Sequence, residues 1–233
     1  MTDTLPIVLV PGLVCSPRIF APVVPALWRL APVMIANHIR DDSMHGIAHR
    51  ILAEAPPRFA LAGHSMGGYI AFEIMRQAPE RVAKLALINT QAHPDTPEAT
   101  ARRRDMIARA QAGAYHAVVD ELYQGFVHPS RRDDVALRRL VHDMADDIGC
   151  DAFVRQLTAI IARPDSRPTL TAIRCPTLVL TADTDNTLPN TLSQEMTDEI
   201  AGSWLVTLET CGHLPQVEQP EATAKALVEW FRG

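Results

Sequence analysis

Gly63-His64-Ser65-Met66-Gly67 stands between a short apolar run, Arg58–Ala62, and a stretch of helical periodicity that reads from Gly68 to Gln77. This G-x-S-x-G pattern carries meaning only between a strand and a helix, and it has that context here. A serine that must stand clear of its own backbone sits on a tight, strained turn. The residues two before and two after it are then forced together, and only minimal side chains fit there. Gly63 and Gly67 meet that demand, and Gly68 lets the following helix approach the sheet. Ser65 is therefore expected to be a nucleophile on a strand–turn–helix unit, with a merely structural tight turn as the competing reading.

The rest of the chain repeats the same alternation. Strands are expected at Pro6–Val10, Val33–Ala36, Phe59–Ala62, Leu85–Asn89, Thr177–Thr181 and Trp204–Leu208. Most are continuous apolar runs, as strands buried on both faces must be. Helical patterns fill Pro22–Leu30, Met44–Glu54, Gly68–Gln77, Pro189–Ile200 and Pro220–Phe231. Together these predict an α/β fold, a mostly parallel sheet of about six strands with helices on both faces. Hydrophobic residues make up 47% of the 233, enough for a large core. The stretch between Asn89 and Thr177 breaks the alternation. Its apolar residues recur at helical spacing, as in Tyr115, Val118, Val119, Leu122 and Phe126, and again in Leu137, Leu140, Val141, Met144 and Ile148. Together with Phe153–Ile161 and the region around Ala99–Ala110, this gives about four helices at the ligand-binding end of such a sheet. Residues 91–176 are thus expected to form a helical cap on a core of residues 1–90 and 177–233, with Pro94–Pro97 and Pro164–Pro168 as its hinges.

The formal net charge is −5, with acids and bases mixed along the chain. No basic stripe interleaved with aromatics appears, so nucleic acid is not an expected partner. No segment approaches a membrane span, and the first residues lack the basic and apolar regions of a signal peptide. The four cysteines have no C-x-x-C spacing and read as free thiols of a cytoplasmic protein, Cys15 as a small buried hydrophobe. No phosphate-cradling glycine motif occurs. His45 and His49 have metal-ligand spacing on one helix, but no H-E-x-x-H pattern is completed, so a solvated face is the better reading. No metal or other cofactor is expected.

At this point the chain resembles the α/β-hydrolase family over nearly its whole length. Thr210-Cys211-Gly212-His213-Leu214-Pro215, followed by Glu218-Gln219-Pro220, is similar to that family's Gly-His loop and its Glu-x-Pro. Ala182-Asp183-Thr184-Asp185-Asn186-Thr187-Leu188-Pro189 resembles the family's Gly-x-x-Asp-x-x-x-Pro, with Ala182 in place of glycine. The resemblance implies Ser65 as nucleophile, His213 as base and Asp185 as the acid that orients the base. Asp183, nearer the strand end, is the alternative acid and is otherwise expected to form turn hydrogen bonds. An oxyanion hole would come from the backbone N–H groups of Met66 and of Leu13, with Val14 as Leu13's nearest rival. The usual His-Gly of that loop is Pro11-Gly12 here, which leaves its anchoring to be found elsewhere. His64, next to Ser65 in sequence, is expected to be structural. The family's opening hairpin is missing or vestigial.

The implied activity is cofactor-free hydrolysis of a small ester or related acyl compound. Lactone, thioester and carbon–carbon bond cleavage run on the same residues, and a ligand-binding receptor retaining them is the reading from another class. A serine rather than an aspartate at the elbow speaks against dehalogenase or epoxide hydrolase chemistry. In the cap, Arg103 shares the inward stripe of Ala99, Met106, Ile107 and Ala110, so it is expected to meet either a substrate carboxylate or a cap acid such as Asp120. Arg102 is expected to pair with Glu98 one turn earlier.

Overall fold

The computed structural model describes residues 4–233; residues 1–3, part of the stretch read above as lacking a signal peptide, lie outside the described residues. Six strands, β1 (Ile7–Val10), β2 (Val33–Ile35), β3 (Phe59–His64), β4 (Val82–Ile88), β5 (Thr177–Ala182) and β6 (Trp204–Leu208), form one sheet in the order β2-β1-β3-β4-β5-β6. Every pairing is parallel, with Leu9 beside Ala62, Ala62 beside Ala86, Ile88 beside Leu180 and Ala182 beside Leu208. The inner strands β1, β3 and β5 are buried at every residue, whereas the edge strands β2 and β6 are partly exposed. Layers on both faces explain the unbroken apolar runs.

The helices in chain order are α1 (Val24–Trp28), α2 (Met44–Glu54), α3 (Met66–Gln77), α4 (Pro97–Arg109), α5 (Tyr115–Phe126), α6 (Val135–Ile148), α7 (Cys150–Ile161), α8 (Arg167–Leu170), α9 (Asn190–Glu199), α10 (Pro215–Glu218) and α11 (Pro220–Arg232). Helix α3 packs on β1, β3 and β4 and against α2, while α9 covers β5 and β6. Helix α11 packs on β4, β5 and β6 and against α1. Helix α1 is shorter than the Pro22–Leu30 expected. Pro25 has no N–H to give, so it must fall in the first turn, and the helix starts at Val24. Strand β3 runs two residues beyond the expected Ala62, because Gly63 and His64 still pair with Leu87 and Ile88.

Between β4 and β5 the chain is helical, as the spacing predicted. Thr96 caps α4 by accepting from Ala99 N–H, with Pro97 in the first turn. Asp134 caps α6 in the same way through Leu137 N–H at 2.9 Å. The inward stripe of α6, Leu137, Val141, Met144 and Ile148, is buried, as is that of α7, Phe153, Leu157 and Ile160. Helix α4 packs on α5 and α7, and α8 returns the chain to α3 and α9. No described helix is long and apolar enough to cross a membrane.

Candidate active site

Strand β3 delivers Ser65 directly to the start of α3, with no residue to spare for a loop. Its backbone is left-handed, at φ 52 and ψ −113, a conformation that costs a non-glycine residue on the order of 1–3 kcal/mol. Neighbouring groups hold it there. Ser65 N–H donates to Ile88 O at 2.9 Å, and Thr90 Oγ1 donates to Ser65 O at 2.8 Å. A Cβ on Gly63 would overlap the Gly67 carbonyl, and one on Gly67 would overlap the carbonyl of Val10. The two glycines are therefore a packing requirement of the turn.

The loops after β5 and β6 bring the other two groups to Ser65. His213 Nε2 lies 2.8 Å from Ser65 Oγ, and His213 Nδ1 lies 2.6 Å from Asp185 Oδ2. An ionised carboxylate can only accept, so Nδ1 carries the ring proton and Nε2 is left to accept from the serine hydroxyl. Asp185 Oδ1 accepts from Thr187 N–H at 2.8 Å and Leu188 N–H at 3.0 Å. Burial works to raise the Asp185 carboxyl, but His213 and these two N–H groups outweigh it, and the group stays below the usual carboxylate range. Asp183 points elsewhere. It accepts from Thr210 N–H at 2.8 Å and Cys211 N–H at 3.1 Å, the turn role expected of it.

The loop carrying His213 is clamped from four directions. Asn89 Nδ2 donates to Gly212 O at 3.0 Å, His64 Nε2–H donates to His213 O at 2.8 Å, and His213 N–H donates to Phe126 O at the end of α5. The buried Glu218 carboxylate accepts from Leu214 N–H at 3.1 Å and His128 N–H at 2.7 Å, tying this loop to the segment after α5. The Phe126 ring stacks on the imidazole of His213 at 5.2 Å. His64 is thus structural, as expected, and it acts on the loop rather than on Ser65.

The turn after β1 is anchored by two side chains that the sequence did not flag. Gln156 on α7 accepts from Val14 N–H at 3.2 Å, and His38 Nε2 lies 2.9 Å from Gly12 O and 3.0 Å from Gln156 Nε2. They answer the question left by Pro11 where the family has histidine. Leu13 lines the cavity beside Ser65. Met66 N–H, in the first turn of α3, is one of the donors that a helix leaves without an intrahelical partner.

The sequence profile of the Alpha/beta hydrolase family matches residues 7–226. The chain belongs to the alpha/beta hydrolase family. A RutD protein of Klebsiella pneumoniae, named provisionally a carbamate hydrolase, is 32% identical over 67% of this chain and 59% of its own length. The pimeloyl-[acyl-carrier protein] methyl ester esterase of Aromatoleum aromaticum is 24% identical over 97% of this chain and 98% of its own. Among solved structures, a thermophilic esterase from Thermogutta terrifontis superposes with a TM-score of 0.89 at 27% identity, covering 98% of this chain and 89% of that one.

In this alpha/beta hydrolase a cavity of about 420 Å³ opens above Ser65. Its walls come from both parts of the chain: Leu13, Tyr69 and Leu188 below, and Met106, Leu122, Phe126, Leu157 and Ile160 from the helices between β4 and β5. Arg103 also lines it, and its position corrects one expectation. Its ion-pair partner is Asp95, at 2.7 Å, and not Asp120, which is taken by Arg138 and His142. Asp95 precedes α4 and lies beside its first turns, whereas Asp120 belongs to the α5–α6 pair. Arg102 forms no ion pair with Glu98 among the described residues; it too lines the cavity. His45 lies on the surface against Glu73, and no described group of three His, Cys, Asp or Glu residues is placed to hold a metal. All four cysteines are free, Cys15 and Cys211 buried.

Two of the anchoring imidazoles make a pH prediction. Burial lowers His38 to about 4 and His64 to about 3, the neighbouring His213 adding to the second shift. In the unfolded chain each would bind a proton below about 6.5, while in the folded protein it stays neutral. The unfolded state then holds more protons, so stability falls as pH drops from about 6.5 towards 4. The loss is about 1.4 kcal/mol per pH unit for each imidazole. Urea unfolding at pH 7 and pH 5 should show it, and His38→Gln should remove about half of the dependence. Equal stability at the two pH values would contradict the assignment. Asp185, being a lowered carboxyl, adds its loss only at still lower pH.

Proposed function

We propose that this alpha/beta hydrolase cleaves small carboxylic esters through an acyl-enzyme on Ser65. The observation that carries the reading is the continuous Ser65–His213–Asp185 hydrogen-bonded chain at the floor of the cavity. Ser65 Oγ attacks the ester carbonyl as His213 Nε2 takes its proton, and Asp185 stabilises the resulting imidazolium. Leu13 and Met66 N–H groups would receive the oxyanion, the first from a turn held by His38 and Gln156. The imidazolium then protonates the leaving alcohol, and water resolves the acyl-enzyme by the reverse sequence of proton transfers. The residues needed are all side chains and backbone groups of this chain. Two relatives that align over almost its full length, at 24% and 27% identity, carry esterase names, which supports the ester reading.

In this reading residues 91–176 act as a cap on a core of residues 1–90 and 177–233 and set selectivity. The roof is largely aliphatic, which suits short to medium acyl groups, and each apolar contact discriminates by only about 1–3 kcal/mol. The partner is a small-molecule acyl compound, with no role for nucleic acid or a membrane, and four free thiols suit a cytoplasmic location.

A fluorophosphonate probe tests the reading directly. Rapid, near-stoichiometric labelling located on Ser65 by peptide mass spectrometry, and lost in Ser65→Ala, is the expected result. A protein that binds esters yet never labels would instead be a receptor that kept these residues.

A further inference from the structure

The cavity above Ser65 is lined by positive charge and by none of the opposite sign. Among the described residues, Arg102 and Arg103 are the only charged side chains on its walls. The one acid behind them is already shared. Asp95 Oδ1 accepts from Arg103 at 2.7 Å and from Arg163 at 2.8 Å, and its Oδ2 accepts from Thr100 Oγ1 at 3.0 Å. Asp95 and Arg163 are almost wholly buried, at 2% and 3% side-chain exposure, while Arg103 keeps 23%. Arg163 is committed to the framework. It also donates to His93 O and Ile160 O, and its guanidinium lies over the Tyr69 ring at 4.5 Å.

One carboxylate thus answers two guanidinium groups, and the uncompensated charge falls on Arg103, which faces the cavity. Arg103 uses one of its five N–H donors on Asp95. Burial pushes its guanidinium below the ordinary value and Asp95 opposes that, while the nearby positive charges of Arg163 and Arg102 act with burial. Arg102 also lines a second surface hollow with Asp105 and Glu121, and both of these acids are held by Arg109. A half-buried arginine in surplus over its acids has the fork geometry that receives a carboxylate in two parallel bonds.

Building on the ester-hydrolase reading, we propose that the preferred substrate is an ester bearing a free carboxylate a few carbons from the scissile carbonyl, received by Arg103 and Arg102 while Ser65 attacks. The intervening methylenes lie along Met106, Leu122, Leu157 and Ile160. Water is the only co-reactant, and the products are an alcohol and a carboxylic acid. The carboxylate takes no part in the bond change and acts by placing the carbonyl at Ser65.

The test compares monomethyl glutarate with methyl pentanoate, a neutral ester of similar length. In the wild-type protein kcat/KM should favour the anion by about tenfold to a hundredfold, the range of one or two charge-assisted hydrogen bonds. Arg103→Met and Arg102→Gln should each bring that ratio towards 1, chiefly through KM. Arg104→Gln, exposed on the same helix but outside the cavity, should leave the ratio as it is. Calorimetric titration of the two esters into Ser65→Ala measures the same preference without turnover. Equal kcat/KM and equal Kd for the two esters would overturn the carboxylate site and leave the hydrolase reading standing. Preferential binding of the anion by Ser65→Ala, with neither ester hydrolysed by the wild type, would uphold the site and remove the hydrolase reading. If Arg103→Met does not fold, the wild-type preference and Arg102→Gln decide.

Discussion

Ser65→Ala is expected to lower kcat for p-nitrophenyl acetate by about 10⁴-fold or more, as removal of a serine nucleophile does when the base and acid have nothing else to activate. The fold should survive the change. Only the hydroxyl is lost, and the bonds that hold the turn, Ser65 N–H to Ile88 O and Thr90 Oγ1 to Ser65 O, are made by the backbone. Alanine in the same left-handed conformation carries similar strain, so the Tm should change by no more than a few degrees. Retention of more than a few per cent of activity in a folded Ser65→Ala protein would remove the serine mechanism altogether.

Asp185→Asn should be nearly as damaging, with kcat down by about 10⁴, because the amide changes which proton His213 carries. The carboxylate that now accepts from Nδ1–H would become a group able to donate to Nδ1. The ring proton would then move to Nε2, which could no longer accept from Ser65 Oγ. Asp183→Asn provides the contrast. Its bonds run to Thr210 and Cys211 N–H, so it should cost on the order of 1–3 kcal/mol of stability and no more than about tenfold in kcat. Steady-state kinetics on the two variants, alongside urea unfolding, separates the roles. A larger loss of kcat in Asp183→Asn would exchange the two aspartates.

These two aspartates also show how far local sequence reaches. The family pattern that Ala182–Pro189 resembles implied Asp185, and it is Asp185 that meets His213. The elbow was legible for a physical reason. Gly63 and Gly67 exclude side chains through contacts within a few residues or with the adjacent strand end, so the constraint is written in the motif itself. Strand positions followed from apolar runs, and errors fell at their ends. Strand β3 was stopped at Ala62, because Gly63 and His64 interrupt the hydrophobic pattern, although their backbone still completes the ladder.

What escaped the sequence was long in range. His38 and Gln156 hold the turn after β1, Glu218 joins the His213 loop to the segment after α5, and Asn89 donates to Gly212 across 123 positions. A buried glutamine on an otherwise apolar helix stripe was the one available signal for Gln156, and it has no meaning until its partner is known. The fate of Arg103 was undecidable in the same way. Helical spacing put it on the inward face, but the choice between Asp95 and Asp120 depends on how α4 lies against α5 and α7. The sequence by itself determined the parallel α/β architecture, the helical interruption between β4 and β5 and the glycine-flanked turn that carries Ser65, while the family resemblance implied that Asp185 and His213 stand beside it. Backbone sterics and hydrophobic periodicity act over a few residues and leave marks at fixed spacing. Tertiary structure alone decided the anchoring of the turn after β1, the clamps on the His213 loop and the positive charge of the cavity. Each of these is a meeting of polar groups from distant segments, and such groups are recognisable only once the fold has brought them within hydrogen-bonding distance.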